Sequence, residues 1–144
     1  MNLEFIDVYT EPSAIEVLWD ILGERSAEND PSVNISHRAL PAYADHVKFV
    51  ESRPYRYWYL LRNHDQWLGY VYITSRDEIG IQLYIEARGA GYGDAALTGL
   101  LKMHKPEMGH QFLANINPRN ARSISLFARH GFLHVQDTYA LERS

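Results

Sequence analysis

The periodicities of this chain predict an α/β fold, one mixed sheet with helices on both faces, and three observations carry that prediction. Runs with apolar residues at every second position alternate along the chain with runs whose apolar residues recur at helical spacing. A glycine-rich turn, Arg88-Gly89-Ala90-Gly91-Tyr92-Gly93, joins a strand-like run to an apolar helical one. With 144 residues and a hydrophobic fraction of 46%, the chain can build one core without staples. No linker, repeat or low-complexity segment interrupts it, so residues 1–144 are expected to form one domain.

Leu3 to Tyr9 alternates as a first strand, and Thr10-Glu11-Pro12 supplies a polar cap with proline in the first turn of a helix reaching about Arg25. Ile15, Leu18, Trp19 and Leu22 form its apolar stripe. Ser26 to Ser36 is polar, contains Asn29-Asp30-Pro31 and reads as a loop. A second helix starts near Pro41, with Tyr43, Val47 and Val50 inward and Asp45, His46 and Lys48 outward. Tyr55 to Arg62, dense in aromatics and leucine, pairs with Trp67 to Ser75 across an Asn63-His64-Asp65 turn. After the Ser75-Arg76-Asp77 reversal, Glu78 to Ile85 is a central strand. Ile79, Ile81, Leu83 and Ile85 occupy one face of it, and Glu78, Gly80, Gln82 and Tyr84 the other. The third helix follows the glycine turn, Gln111 to Ile116 is a strand, Asn120 to His130 a helix, and Leu133 to Leu141 a last strand that closes the sheet.

Composition removes several functional classes. Cysteine is absent, which excludes disulfides, thiolate metal sites and a cysteine nucleophile and suits a reducing compartment. The formal charge of −4 offers no polycationic surface, so nucleic acid is not an expected partner. No apolar run approaches the roughly 20 residues of a membrane span, and Met1-Asn2-Leu3-Glu4 lacks the pattern of a secretory signal, so no membrane partner and a cytoplasmic location are expected. The histidines four apart, His130 and His134, are separated by the helix-ending Gly131 and so do not share a helix face, and no metal is expected.

The glycine turn has the chemistry of a phosphate cradle. Alternating glycines let backbone approach a bulky anion, and the helix start near Gly93 aims unpaired N–H groups and a positive dipole end at it. A tight turn that merely satisfies local geometry would have the same composition. The second informative segment is Asn120-Ala121-Arg122-Ser123 leading into Leu126-Phe127-Ala128-Arg129-His130-Gly131-Phe132. With R-x-x-G-x-G before one helix and N-x-x-S-x-x-L-F-x-x-x-G-F some thirty residues later, nearly the whole chain resembles the GNAT superfamily of acetyl-CoA-dependent N-acetyltransferases. Within it, the chain looks like small bacterial enzymes acting on amino sugars or protein N-termini.

That resemblance implies a twisted, mostly antiparallel sheet whose fourth and fifth strands splay apart, with acetyl-CoA as acyl donor. By resemblance, backbone at Leu83 and Ile85 holds the pantetheine arm, amides of Arg88, Gly89, Ala90, Gly91, Tyr92 and Gly93 hold the diphosphate, and Asn120 contacts pantetheine amides. An ordinary helix N-cap is the alternative role for Asn120, compatible with the first, and Asn117 suits a turn with Pro118. Asp94, a carboxylate beside this cradle, is expected to cap the helix and face away. Gly131 ends its helix, and His130 sits as a cation near that end.

Acetyl transfer to an amine needs a proton acceptor, because only the neutral amine attacks, and a donor for the departing thiolate. Glu78, opening the fourth strand on its polar face, is the candidate base; an exposed surface glutamate is the competing reading. Many similar proteins carry an acidic tyrosine where this chain has Phe127, so Tyr84 or Tyr139 or a water must stand in. The aromatic run Pro54-Tyr55-Arg56-Tyr57-Trp58-Tyr59 suits a small-molecule amine such as a nucleotide-linked amino sugar, although the same strand could form the edge of a homodimer. A protein N-terminus or lysine is the alternative acceptor. Phe127 also leaves open a non-catalytic acyl-CoA-binding module. The glycines lack the G-x-G-x-x-G spacing of a dinucleotide-dependent redox enzyme.

Overall fold

Period-2 runs rich in aromatic and β-branched residues form the centre of the molecule, and the periodic apolar stretches cover both faces of it. The computed structural model describes residues 2–28, 40–107, 109 and 111–143. In chain order the elements are β1 (Glu4–Asp7), α1 (Ala14–Ala27), α2 (Tyr43–Glu51), β2 (Tyr57–Asn63), β3 (Gln66–Ile73), β4 (Ile79–Leu83), a 3-10 turn (Ile85–Ala87), α3 (Tyr92–Met103) and α4 (Ala121–Arg129). The strands pair antiparallel in the order β1-β2-β3-β4, with a register shift between Leu61 and Arg62.

Alternation sends neighbouring side chains to opposite faces, and each face has its own core. Leu18 and Ile21 of α1 and Val50 of α2 pack on Trp58 and Leu60. On the other face Leu97 and Leu100 of α3 and Phe127 of α4 pack on Leu61, Leu68, Val71 and Ile73.

Several expectations change once the elements pack. Helix α1 begins at Ala14, not in the Thr10–Pro12 stretch, because residues 7–13 form turns in which the Glu11 carboxylate accepts from Ser13 N–H and Oγ–H. Its buried residues are Ala14, Leu18 and Ile21; Trp19 instead meets Tyr43 and His46 of α2, 5.1 and 5.2 Å between ring centres. Tyr43 is thereby left 46% exposed. His46, read as outward, is buried, with its Nε2 3.0 Å from the Ile15 carbonyl, because α2 lies on α1 as well as on the sheet. Most of the polar loop expected over Ser26 to Ser36 falls outside the described residues.

The far side of the sheet differs most. Residues 111–116 make one parallel bridge, Leu113 to Glu78, instead of a full strand. Residues 133–141 are not a closing strand: Leu133, Val135, Tyr139 and Leu141 are 83%, 63%, 90% and 99% exposed. Their alternation is that of a strand, but strand propensity is realised only where a sheet edge receives it, and here none does.

Candidate functional site

Bond alternation along β4 creates the site. Thr74 N–H donates to the Glu78 carbonyl and Tyr84 N–H to that of Leu68, so even-numbered main-chain groups face β3. Ile79 N–H donates the other way, 2.7 Å to the Leu113 carbonyl, and Leu113 N–H returns a 2.9 Å bond to Asp77. Beyond that bridge the 111–116 segment diverges, and the main-chain groups of Ile81 and Leu83 point into the gap. The divergence is anchored at Asp77, a buried residue at φ 60° that pairs with Arg56 and accepts from Glu107 N–H at 3.0 Å. Sequence patterning read Asp77 only as a turn residue.

A cleft of about 700 Å³ runs through this gap from one face of the sheet to the other. On the α3–α4 side it is lined by Arg88, Gly89, Gly91, Tyr92, Gly93 and Asn120 among others. Gly89 and Gly91 adopt φ of 80° and 87°, in the left-handed region that a side chain makes costly, and nothing lies within 4 Å of where a Cβ on Gly89 would stand. Helix α3 starts at Tyr92, so the N–H groups of Tyr92, Gly93 and Asp94 have no partner inside the helix; the first intrahelical bond runs from Ala95 to Gly91. Unpaired amides with a helix dipole behind them are able to hold an anion such as a diphosphate. Gly93 serves packing instead, with a hypothetical Cβ 3.2 Å from Leu126 of α4.

Asp94 does not cap α3. Its carboxylate faces α4, where Arg129 Nε and Nη2 donate at 3.1 and 3.0 Å and His130 Nε2 lies 3.0 Å away. The Arg129 bonds first, then His130, hold its pKa below the usual carboxylate value. This pairing removes the repulsion that a bare carboxylate would exert beside the cradle. Asn120 caps α4, its Oδ1 accepting from Ser123 N–H at 3.2 Å, and still lines the cleft; Asn117 makes the turn, accepting from Arg119 N–H. At the far end of α4, Gly131 takes φ 88°, and N–H groups of Gly131 and Phe132 return to the carbonyls of Ala128 and Phe127.

The other predicted site residues are arranged differently from expectation. Leu83 lines the cleft, but Ile85 is 47% exposed in the 3-10 turn and its N–H is taken by Glu24 Oε1 at 2.7 Å. The Arg88 amide is spent on the Ile85 carbonyl, while its guanidinium forks onto Glu28 at 2.8 and 3.0 Å; Ala90 is exposed and is not a wall residue. Tyr84 does not reach the cleft: its hydroxyl donates to Asp20 at 2.6 Å, and burial, with Asp20 beside it, raises its pKa. Tyr139 lies on the exposed 133–141 segment. Glu78 stands behind the wall, accepting from Thr74 Oγ1 at 3.2 Å and from Asn115 Nδ2 at 2.8 Å, and Asn115 itself lines the cleft.

On the α1–α2 side the walls are Arg25, Tyr70, Tyr72, Gly80 and Gln82. Tyr70 stands opposite Gln82 and Tyr72 opposite Gly80 in the β3–β4 register, and the Tyr72 ring occupies the space a side chain at position 80 would need. Tyr72 stacks on Tyr55 with 3.9 Å between ring centres. Burial raises the pKa of Tyr70 and Tyr72, keeping both hydroxyls protonated. Their shared spacing in β3 was visible in the sequence; their meeting with Gly80 and Gln82 needed the strand register.

Among the described residues no group of three or more His, Cys, Asp or Glu side chains could hold a metal, and no helix is long and apolar enough to cross a membrane. No curated protein matches the chain by sequence. Among solved structures it is similar to a ribosomal-protein-alanine N-acetyltransferase from Brucella melitensis, with 20% identity, 91% of this chain and 83% of that one covered, and a TM-score of 0.70. An N-acetyltransferase from Staphylococcus aureus shares 18% identity over 94% and 86% of the two chains, with a TM-score of 0.73. A phosphinothricin acetyltransferase from Sinorhizobium meliloti, solved with acetyl-CoA, shares 23% over 91% and 75%, with a TM-score of 0.67. The model of the acetyltransferase (GNAT) domain matches residues 17–133. With that match spanning most of its length, this chain belongs to the GNAT family and is an acetyltransferase that uses acetyl-CoA.

Proposed function

We propose that residues 1–144 act as one acetyltransferase domain, in the cytoplasm, that moves the acetyl group of acetyl-CoA onto a primary amine of a small molecule while both are bound. The observation that carries this reading is the course of the cleft. It opens onto main-chain amides on one face of the sheet and onto tyrosines on the other, so two ligands can approach the same gap from opposite sides. Its volume, shared between them, suits a compact acceptor.

Acetyl-CoA supplies the activated acyl group as a thioester. The free amides at the start of α3 hold its diphosphate, Asn120 and the main chain of Leu83 hold its arm, and the N–H groups of Ile81 and Leu83 meet negative charge gathering on the thioester oxygen. Glu78 follows Gly80 and Gln82 in the alternation of β4 but stands behind the cleft wall, so it takes the proton that the amine must lose through a water beside Asn115. Its bond to Asn115 orients that amide in the cleft wall. Tyr72 is the donor to the departing sulfur in place of Tyr84 and Tyr139: it lines the cleft, burial keeps its proton on, and the stacked Tyr55 ring holds it in place. Phe127, 4% exposed, contributes packing.

The test is release of free thiol from acetyl-CoA across a panel of amino sugars, amino acids, polyamines and peptides. Turnover with a small amine is expected. A peptide as the best acceptor would move the reading to protein N-termini, and acetyl-CoA binding without thiol release from any amine would replace it with a non-catalytic module.

A further inference from the structure

Helix α3 starts without a side-chain cap: its N-cap is Gly91, at φ 87°, and the turn before it carries a second left-handed glycine, Gly89. Glycine enters such conformations easily and leaves them as easily, so residues 89–91 do not by themselves fix the direction of the amides that the helix start presents. The buried side chains of α3 begin only at Ala96, a turn further on.

The tie at the start comes from the sheet. Asn63, the last residue of β2, donates from Nδ2 to the hydroxyl of Tyr92 at 2.7 Å. Strand β2 is held on both sides, by β1 and β3, and Asn63 stands in its final pair, opposite Gln66. Tyr92 is the first residue of α3, lines the cleft and packs on the core beneath the helix, and its N–H is the first of the three with no partner inside the helix. Among the described residues the Oδ1 of Asn63 is buried and has no hydrogen-bond partner. A half-satisfied buried amide stabilises a fold less than an apolar pair of similar shape, so what this bond adds is direction.

We propose that Asn63 is a positioning residue for the cofactor: by holding the Tyr92 hydroxyl it fixes the first turn of α3, so that the amides of residues 92–94 stand ready for the diphosphate of acetyl-CoA. This deepens the transfer reading above and rests on its placing of the diphosphate. The bond replaces the cap that a glycine cannot supply, and without it the ligand must order the turn as it binds.

The experiment uses the full chain and coenzyme A, with binding read by calorimetry and stability by thermal melting, in Asn63→Leu, Tyr92→Phe and the two combined. Each single variant is expected to weaken coenzyme A binding roughly fivefold, the scale of ordering one more residue on binding. The combined variant should bind no worse than either, because the same bond is lost in all three. It should also melt no lower than wild type, since it replaces a half-satisfied polar pair with an apolar one; a merely structural role would lower its melting point along with its affinity. In turnover the loss should fall on KM for acetyl-CoA more than on kcat. Wild-type affinity in the combined variant, single effects that add in full, or a loss of affinity matched by a lower melting point of the combined variant would overturn the proposal. Gly91→Val, measured beside them, tells two failures apart. Lost binding there with wild-type affinity in the pair variants leaves the cradle standing without a role for Asn63, whereas retained binding in Gly91→Val removes the diphosphate from this turn and the proposal with it.

Discussion

The cradle end of the cleft is made of main chain from one short stretch, residues 88–94, whereas the acceptor mouth is made of side chains drawn from α1, β3 and β4. The first needs glycines at the right places and a helix that starts there, and the ligand it fits is set by unpaired amides that every helix start possesses. The second depends on which residue of one strand stands opposite which residue of the next. A family can keep one and vary the other, because a change at Tyr70 or Gln82 leaves the amides at residues 92–94 untouched.

The comparison breaks most severely where both ends share a support. Asp77→Ala leaves Arg56 without its buried partner and frees Glu107 N–H, and removing one member of a buried ion pair costs about 3–5 kcal/mol. Chemical denaturation should show a loss of that size, and cofactor and acceptor binding should weaken together; a melting point close to wild type would mean that the gap is not anchored there.

Gly91→Val should separate the ends. A branched side chain at φ 87° is strained and reaches the anion space, and losing hydrogen bonds to a charged group at about 1.5–3 kcal/mol each lowers acetyl-CoA affinity by roughly two orders of magnitude. Calorimetric titration reads this, with circular dichroism to show a folded chain. Retained affinity would refute the cradle.

Glu78→Gln and Tyr72→Phe act on the other end, and kcat should fall by about 10²-fold for the first, the usual scale of a lost proton-transfer group, and less for the second. Acetyl-CoA affinity should hold in both. The Glu78→Gln defect should shrink at high pH, where the amine is already neutral; a small effect independent of pH would return Glu78 to the surface reading.

The smallest effect lies outside the cleft. His104 stacks on Tyr57 at 3.7 Å and bonds Tyr59 at 2.7 Å, and burial, with Arg56 nearby, holds its pKa below 6.5. The unfolded chain therefore takes up the proton more readily, so stability is lost as pH falls below 6.5. A thermal melt at pH 5.5 against pH 7 should show a larger drop for wild type than for His104→Phe.

Much of this could be read before folding was considered. The β2–β3 hairpin, the helix after the glycine turn, the asparagine cap of α4 and its glycine end were legible because each depends on residues within a few positions of one another. Tyr84 was misread as facing the cleft because strand alternation stops at Leu83, where the chain turns into a 3-10 segment beside Asp20. The inward His46 was missed because the helix that it packs on is itself a surface for α2. Residues 133–141 look like a strand and have no sheet to join.

By itself the sequence determined where the backbone turns, where helices begin and which amides are left without partners, since chain stereochemistry and local hydrogen bonding act over a few residues. Only the tertiary structure decided which side chains line the acceptor mouth, that Asp94 is neutralised by Arg129, and that Asp77 holds the gap open. Those outcomes depend on register and packing between segments up to sixty residues apart, where burial and pairing energies outweigh any local preference.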